Sequence, residues 1–234
     1  MNEHISQQYD DELNALKNRV MAMGGLVENH IEKATIAIIE GEEDLAARIV
    51  DADFKVNSLE VSIDEQANQI IAKRQPTASD LRFVMMIVKT ITDLERIGDE
   101  AEKIARMAQG LAELGEGAIL NFIEIRHLAD HVRKMLHDSL DAFARTDVEA
   151  AINAASQDER VDTEYESVVR QLITKMMEDP RCIKRAIHVL WAVRALERIG
   201  DHAKNICEYV IYMVKGKDVR HVTIEQVKED LLCK

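Results

Sequence analysis

Proline is nearly absent from this 234-residue chain, with only Pro76 and Pro180, and nine glycines are scattered along it. Long stretches therefore carry no strong helix breaker. Aromatic residues are only 4% of the chain while hydrophobic residues reach 47%, so a core must be assembled from Leu, Ile, Val, Ala and Met. Sandwiches and barrels need many turns, and this composition favours a helical protein over them. Cysteine is scarce and odd in number. Cys182, Cys207 and Cys233 match no zinc-ligand spacing and read as reduced thiols of a cytoplasmic protein. The opening MNEHISQQYDDEL lacks the basic and apolar regions of a signal peptide, and no uncharged apolar run is long enough to span a bilayer. The expected location is the cytoplasm.

Positive charge is also short. Lys and Arg total 30 against 43 Asp and Glu, a net charge of −13. The densest basic stretches are Lys73-Arg74 and Arg181, Lys184 and Arg185, too sparse to hold a phosphate backbone against that charge. Direct DNA binding is not expected. Neither a glycine-rich phosphate loop nor a serine or cysteine with an evident base beside it occurs.

What is present is helix periodicity. Caps and breakers divide the chain into six segments: about 6–40, ending at Gly41; 44–73, ending before Gln75-Pro76; a third from Thr77 to near Gly110; then about 118–145, 148–178 and 182–215, the last ending at Gly216. Thr77, with Asp80 three residues on, is the expected N-cap of the third. Leu81, Val84, Val88 and Ile91 form one apolar face there, and Ile183, Ala186, Leu190 and Val193 form its counterpart in the sixth. The methionines, among them Met21, Met23, Met85, Met86, Met176 and Met177, read as core filler.

The two halves align. Glu95-Arg96-Ile97-Gly98-Asp99 recurs as Glu197-Arg198-Ile199-Gly200-Asp201, an offset of 102 (197 − 95), with Leu94 recurring as Leu196. Asp53, Val56 and Asn57 match Asp158, Val161 and Asp162 at an offset of 105 (158 − 53), and the prolines repeat before the last helix of each half. A tandem duplication of a three-helix unit accounts for this order. The expected fold is all-α, two tandem three-helix bundles of elongated helices. The expected boundaries are 1–113 and 118–216, with a tail at 217–234.

Glu95 and Asp99 are four apart and share a helix face, and Glu95 lies on the apolar stripe near Val84 and Ile91; Glu197 is placed likewise. A carboxylate in an apolar stripe needs a partner. Two readings stand. The acids face solvent or a neighbouring helix and pair with Arg96, Arg198 or other cations. Or Asp53, Asn57, Glu95 and Asp99, and in the other half Asp158, Asp162, Glu197 and Asp201, converge as oxygen ligands for a hard cation such as Mg²⁺, Mn²⁺ or iron. Gly98 and Gly200 sit inside helices at a cost of about 1 kcal/mol against alanine, which suits close approach of another helix or a ligand. Glu124-x-x-His127 has the spacing of a di-iron bundle but lacks the second such motif, so His127, His131 and His137 read as surface or satisfied residues. A carboxylate-bridged metalloenzyme is the rival class, weakened by that gap.

The stretch from Ile71-Ala72-Lys73-Arg74-Gln75-Pro76 to Leu81-Arg82 and on to Leu94–Asp99, with Leu140-Asp141-Ala142-Phe143-Ala144-Arg145 and Asn205-Ile206-Cys207-Glu208-Tyr209, resembles the PhoU family of bacterial phosphate-uptake regulators. The resemblance covers nearly the whole chain. It implies a homodimer of tandem bundles that acts as a negative regulator of the phosphate-starvation response. It also implies two partners, the ATPase subunit of the phosphate-specific ABC transporter and the PAS region of a sensor histidine kinase, and contact with the membrane only through them. It implies no catalysis and no required cofactor. Metal binding in some homologues through E/D-x-x-x-D pairs is matched by Glu95 with Asp99, Glu197 with Asp201 and Asp158 with Asp162. Asn57 follows Asp53 where an acid is expected, which predicts a weaker first site.

Overall fold

The computed structural model describes residues 7–115, 123–219, 222, 226 and 227. Eight α-helices account for most of them: α1 (Gln7–Glu40), α2 (Glu43–Ala52), α3 (Phe54–Arg74), α4 (Ala78–Glu113), α5 (Ile123–Arg145), α6 (Val148–Ala155), α7 (Asp158–Glu178) and α8 (Ile183–Lys215), with a 3₁₀ turn at Pro180–Cys182 before α8. No strand occurs among the described residues. The two halves have the same plan: α1, α2 and α3 pack on α4, and α5, α6 and α7 pack on α8. These are two three-helix bundles related by the internal repeat, each middle element being bent.

The bend is the first departure from expectation, since 44–73 and 148–178 each read as one helix. At Asp53 the backbone stays helical (φ −58°, ψ −36°), but the Val56 amide bonds back three residues to the Asp53 carbonyl at 2.8 Å, which tightens the turn. In the second half Gln157 closes a similar tight turn on the Ala154 carbonyl at 3.0 Å. Neither bend has a glycine or proline to announce it. Each places an aspartate, Asp53 or Asp158, at the entry to the following helix.

Helix ends follow the punctuation elsewhere. Gly41 and Gly216 take positive φ where α1 and α8 stop, and Gln75 takes φ 48° before Pro76. Thr77 is the N-cap of α4, but its side chain makes no capping bond; the Asp80 amide bonds the Thr77 carbonyl instead, at 3.1 Å. The expected start of the fourth segment at 118 and the greater part of the tail lie outside the described residues, as does Cys233. Val219 and Val227 of the tail are buried against the core.

The two bundles meet through α4 and α8. Their contacts run from Arg82, which donates to the Met213 carbonyl, through Lys89 over the rings of Tyr209 and Tyr212, Asp93 with His202, and Glu100 with Arg198, to Arg185, which donates to the Leu111 carbonyl. Numbers rise on one helix as they fall on the other, so the helices are antiparallel over 29 residues (111 − 82), about 43 Å. This ladder is centred on Ile97 and Ile199, equivalent residues of the repeat, both fully buried. A pseudo-two-fold axis thus passes through the middle of the repeated five-residue word. On the opposite side α1 and α5 are also antiparallel, joined by Glu28–His137 at 3.0 Å, Glu32–Arg133 at 2.7 Å and Glu40–Arg126 at 3.3 Å.

The apolar stripes of α4 and α8 are assembled as expected at Val84, Ile91, Ala186 and Val193, and half-buried at Val88 and Leu190. Leu81 and Ile183 depart from them, 40% and 39% exposed. They stand at equivalent positions near the starts of their helices. Met23 and Met86 are core residues and Met21 and Met176 pack beside them, but Met85 and Met177 are exposed rather than filler.

The repeated glycines have a packing reason. A Cβ on Gly98 would lie 3.1 Å from Val56 Cγ1, and one on Gly200 would lie 3.2 Å from Val161 Cγ1, the same pair in both halves. Gly25, exposed on α1, has open space around it. Replacing Gly98 by Leu is expected to destabilise the chain by about 2 kcal/mol or more, from overpacking against α3. Gly25→Ala is expected to stabilise it by about 0.5–1 kcal/mol. Urea denaturation followed by circular dichroism measures both.

Candidate functional site

Each glycine contact brings the start of a bent middle helix against the repeated word, and carboxylates collect around that point. In the first bundle Asp53, at the entry to α3, is only 8% exposed. Its Oδ2 accepts a bond from Asn57 Nδ2 at 3.1 Å, while its Oδ1 has no partner and lies 3.5 Å from where a Gly98 Cβ would stand. Asn57 Oδ1 is buried and unpartnered as well. Glu95 and Asp99 flank Gly98 on α4, and Glu60, one turn beyond Asn57 on α3, joins them.

Electrostatics show that these groups share one environment. Burial, then the charges of Glu102 and Asp99, push the Asp53 carboxyl above its usual range. Burial, then Asp99, Glu60 and Asp53, do the same to Glu95. Burial, then Asp64 and Asp99, raise Glu60, and burial raises Asp99 against the opposing pull of Lys103. Among the described residues no Lys or Arg hydrogen-bonds any of these four carboxylates; Arg106 is engaged by Glu102 and Lys103 by Glu100.

The second bundle repeats the carboxylates with different neighbours. Asp158, 8% exposed at the start of α7, accepts a bond from Lys204 Nζ, and Glu197, 9% exposed, accepts one from Arg194. The Arg194 guanidinium also lies over the Tyr165 ring, 5.8 Å from its centroid. Burial, then Asp201, raise the Glu197 carboxyl; burial, then Asp158, raise both Asp201 and Asp162. Glu197 Oε2 remains without a partner.

The predicted residues are therefore gathered into two groups: Asp53, Asn57, Glu95 and Asp99, and Asp158, Asp162, Glu197 and Asp201. Among the described residues no three metal-ligating side chains stand close enough to hold an ion as they are. The expected pairing with Arg198 is not seen at these acids, since Arg198 reaches across to Glu100 at 2.6 Å. Sequence reasoning missed Glu60, Arg194 and Lys204. It also missed the buried inter-bundle pairs, Asp93 with His202 at 2.7 Å and with Asn205 at 3.1 Å. For Lys204 a signal existed: Glu102, its counterpart at offset 102, has the opposite charge.

Catalytic alternatives gain no geometry. His127 is exposed; His131 bonds Glu164 at 2.6 Å and His137 bonds Glu28, so neither histidine turns toward the carboxylates. Cys182 and Cys207 are free and buried, and burial raises the Cys207 thiol far out of the range of a nucleophile.

A doubled helical bundle with matched acidic clusters defines a class of helical repeat protein. The comparisons name that class. The family model for the PhoU domain matches twice, at residues 20–108 and 125–210. A phosphate-specific transport system accessory protein PhoU homolog from Pseudomonas aeruginosa is 48% identical over 228 residues, 97% of this chain and 94% of that protein. The crystal structure of PhoU from Pseudomonas aeruginosa superposes with a TM-score of 0.86 at 47% identity, covering 89% of this chain and 100% of the other. That of the phosphate transport system regulatory protein PhoU from Streptococcus pneumoniae gives 0.84 at 30% identity, covering 90% and 99%. The chain belongs to the PhoU family.

Because the cluster carboxyls hold protons more tightly folded than unfolded, they contribute stability below their unfolded range and lose it as pH rises through the folded values. Carboxyls held low, Glu12 by Arg74 and Asp179 by Arg181, act in the opposite sense, but only in more acid solution. Melting temperature is thus expected to rise as pH falls from neutral toward the carboxylate range, less the opposing contribution of His30, whose imidazole is held low by burial and which therefore favours the unfolded chain on acidification. Asp99→Asn should raise it at pH 7 by about 2–4 °C, the equivalent of about 1 kcal/mol, and flatten the pH dependence. Scanning calorimetry across that range measures both effects.

Proposed function

We propose that this chain is a cytoplasmic accessory regulator of a phosphate-specific transport system, a non-catalytic adaptor that reports transporter status to a sensor histidine kinase. The observation that carries this reading is the similarity over both repeats to proteins named as phosphate-transport accessory or regulatory PhoU. No helix among the described residues is long and apolar enough to cross a membrane; in this reading, contact with a transporter runs through its ATPase subunit. Contact with the kinase runs through its PAS region, and a homodimer is the working assembly. Long exposed helix faces and an acidic surface suit docking, where charge steers encounter more than it sets affinity. The two units are residues 1–113 and 118–216, followed by the tail.

The acidic clusters are, in this reading, cation sites. The fit rests on chemistry of the donor set: oxygen donors only, and a nine-tenths-buried aspartate with an unpartnered oxygen at the first cluster. Oxygen donors suit Mg²⁺ or Mn²⁺, with iron a further candidate. A bound cation would offset the mutual repulsion of Asp53, Glu95 and Asp99 and so fix α3 against α4.

Expression of this chain in a bacterium lacking its own PhoU, with a phosphate-repressible reporter, tests the regulatory reading. Repression in high phosphate, lost when the transporter ATPase is deleted, is the expected outcome. A reporter left constitutive by a well-expressed, folded chain would overturn it.

A further inference from the structure

We propose that the two clusters are inequivalent: the Lys204 ammonium is a tethered cation that fills the second, leaving the first as the single site for a hydrated divalent ion. This rests on the cation reading above and reverses the order that the Asp53–Asn57 and Asp158–Asp162 pairs suggest on their own.

Superposing the repeats by number exposes the difference. Glu102 of the first corresponds to Lys204 of the second, and Arg106 to Glu208, so an acid-base pair one turn apart is inverted. Thr92 corresponds to Arg194, and Glu60 to Tyr165. The inversion turns a lysine inward onto Asp158 in the second bundle. In the first, the arginine is 54% exposed and bonded to Glu102, on the outer side of the cluster. Arg194, packed over Tyr165, brings a second fixed positive charge to Glu197. The first bundle has Thr92 and Glu60 at those two places, one neutral and one a further acid.

Buried carboxylates need compensating charge. A lysine supplies it as a compact point charge already attached to the chain, and a divalent ion entering beside it would meet like-charge repulsion. Asp53 has no cation bonded to it: Arg106, held by Glu102, acts on its carboxyl only as the weakest of the surrounding charges. Its Oδ1 lies 3.5 Å from where a Gly98 Cβ would stand and has no partner; Glu197 Oε2 has none in the second cluster either, but only the first has a second open oxygen, that of the Asn57 side-chain amide. A magnesium-like ion keeps several waters and is commonly held by one or two carboxylates. That mode agrees with a cluster in which no three ligands converge.

Equilibrium dialysis of the full chain against Mn²⁺, with free Mn²⁺ read by electron paramagnetic resonance, decides the matter. One site per chain is expected, competed by Mg²⁺ and weakened at least tenfold in Asp53→Asn and in Asp99→Asn. Asp158→Asn and Asp201→Asn should leave it in place. Lys204→Glu, which restores the first-repeat residue, should bring the stoichiometry to two; circular dichroism melts confirm that each variant is folded. Two equal sites in the unaltered chain, or one site lost only with Asp158 and Asp201, would overturn the inequivalence while leaving the cation reading intact. Absence of Mn²⁺ binding in every variant would overturn both.

Discussion

Close approach of a bent helix to a glycine in the repeated word is the constraint from which the rest of each bundle follows. Val56 on Gly98 and Val161 on Gly200 leave no room for a Cβ without displacement. That approach sets where α3 and α7 cross α4 and α8. It also carries Asp53 and Asp158, three residues before each valine, into a buried position beside the acids that flank the glycine. The carboxylate clusters are therefore a by-product of tight packing geometry, held in place by apolar contacts that outweigh the repulsion among the charges. The carboxyls hold their protons more tightly first because they are buried and then because of one another's charge.

The second organising feature is the antiparallel pairing of α4 with α8. Because the repeats are related by a pseudo-two-fold axis at Ile97 and Ile199, the faces of the two words that look away from the cluster residues pack on each other. The buried polar contacts there, Asp93 with His202 and Glu100 with Arg198, are charge-assisted and specific in register. A one-turn slip would strand Asp93, 4% exposed, without its partners and would take Arg198 away from Glu100, leaving it Lys103 alone. Register across the axis is thus specified by polar pairs and depth of packing by small and apolar residues.

Helix order, the duplication and both acidic groups were legible in the amino-acid sequence because they are written in local spacing. Prolines and glycines mark chain reversals, and a five-residue word repeated in matching helices fixes correspondence. The bends at Asp53 and Ser156-Gln157 were not legible, since a single tightened turn needs no breaker residue and is set by what the helix packs on. Leu81 and Ile183 were misplaced because helical angle gives a face but not whether anything covers it. Partners such as Arg198 for Glu100, 98 residues apart (198 − 100), depend on how the bundles dock, which no local pattern encodes. Lys204 lies between these cases: its identity against Glu102 is visible in the repeat, but its direction toward Asp158 is tertiary.

Duplication supplies two copies of a strained acidic cluster, and strain of that kind can be relieved in only a few ways. Protonation relieves it in acid solution; an ion relieves it from outside; a mutated side chain relieves it permanently from within. The inverted 102/106 and 204/208 pairs place the two copies on different branches of that choice. A bundle neutralised by its own lysine has a fixed arrangement of α7 on α8. A bundle that relies on an external cation has an arrangement of α3 on α4 that responds to what surrounds it. Since α4 and α8 are paired along their length, a change in the packing of α3 on α4 would bear directly on the contact between the two bundles.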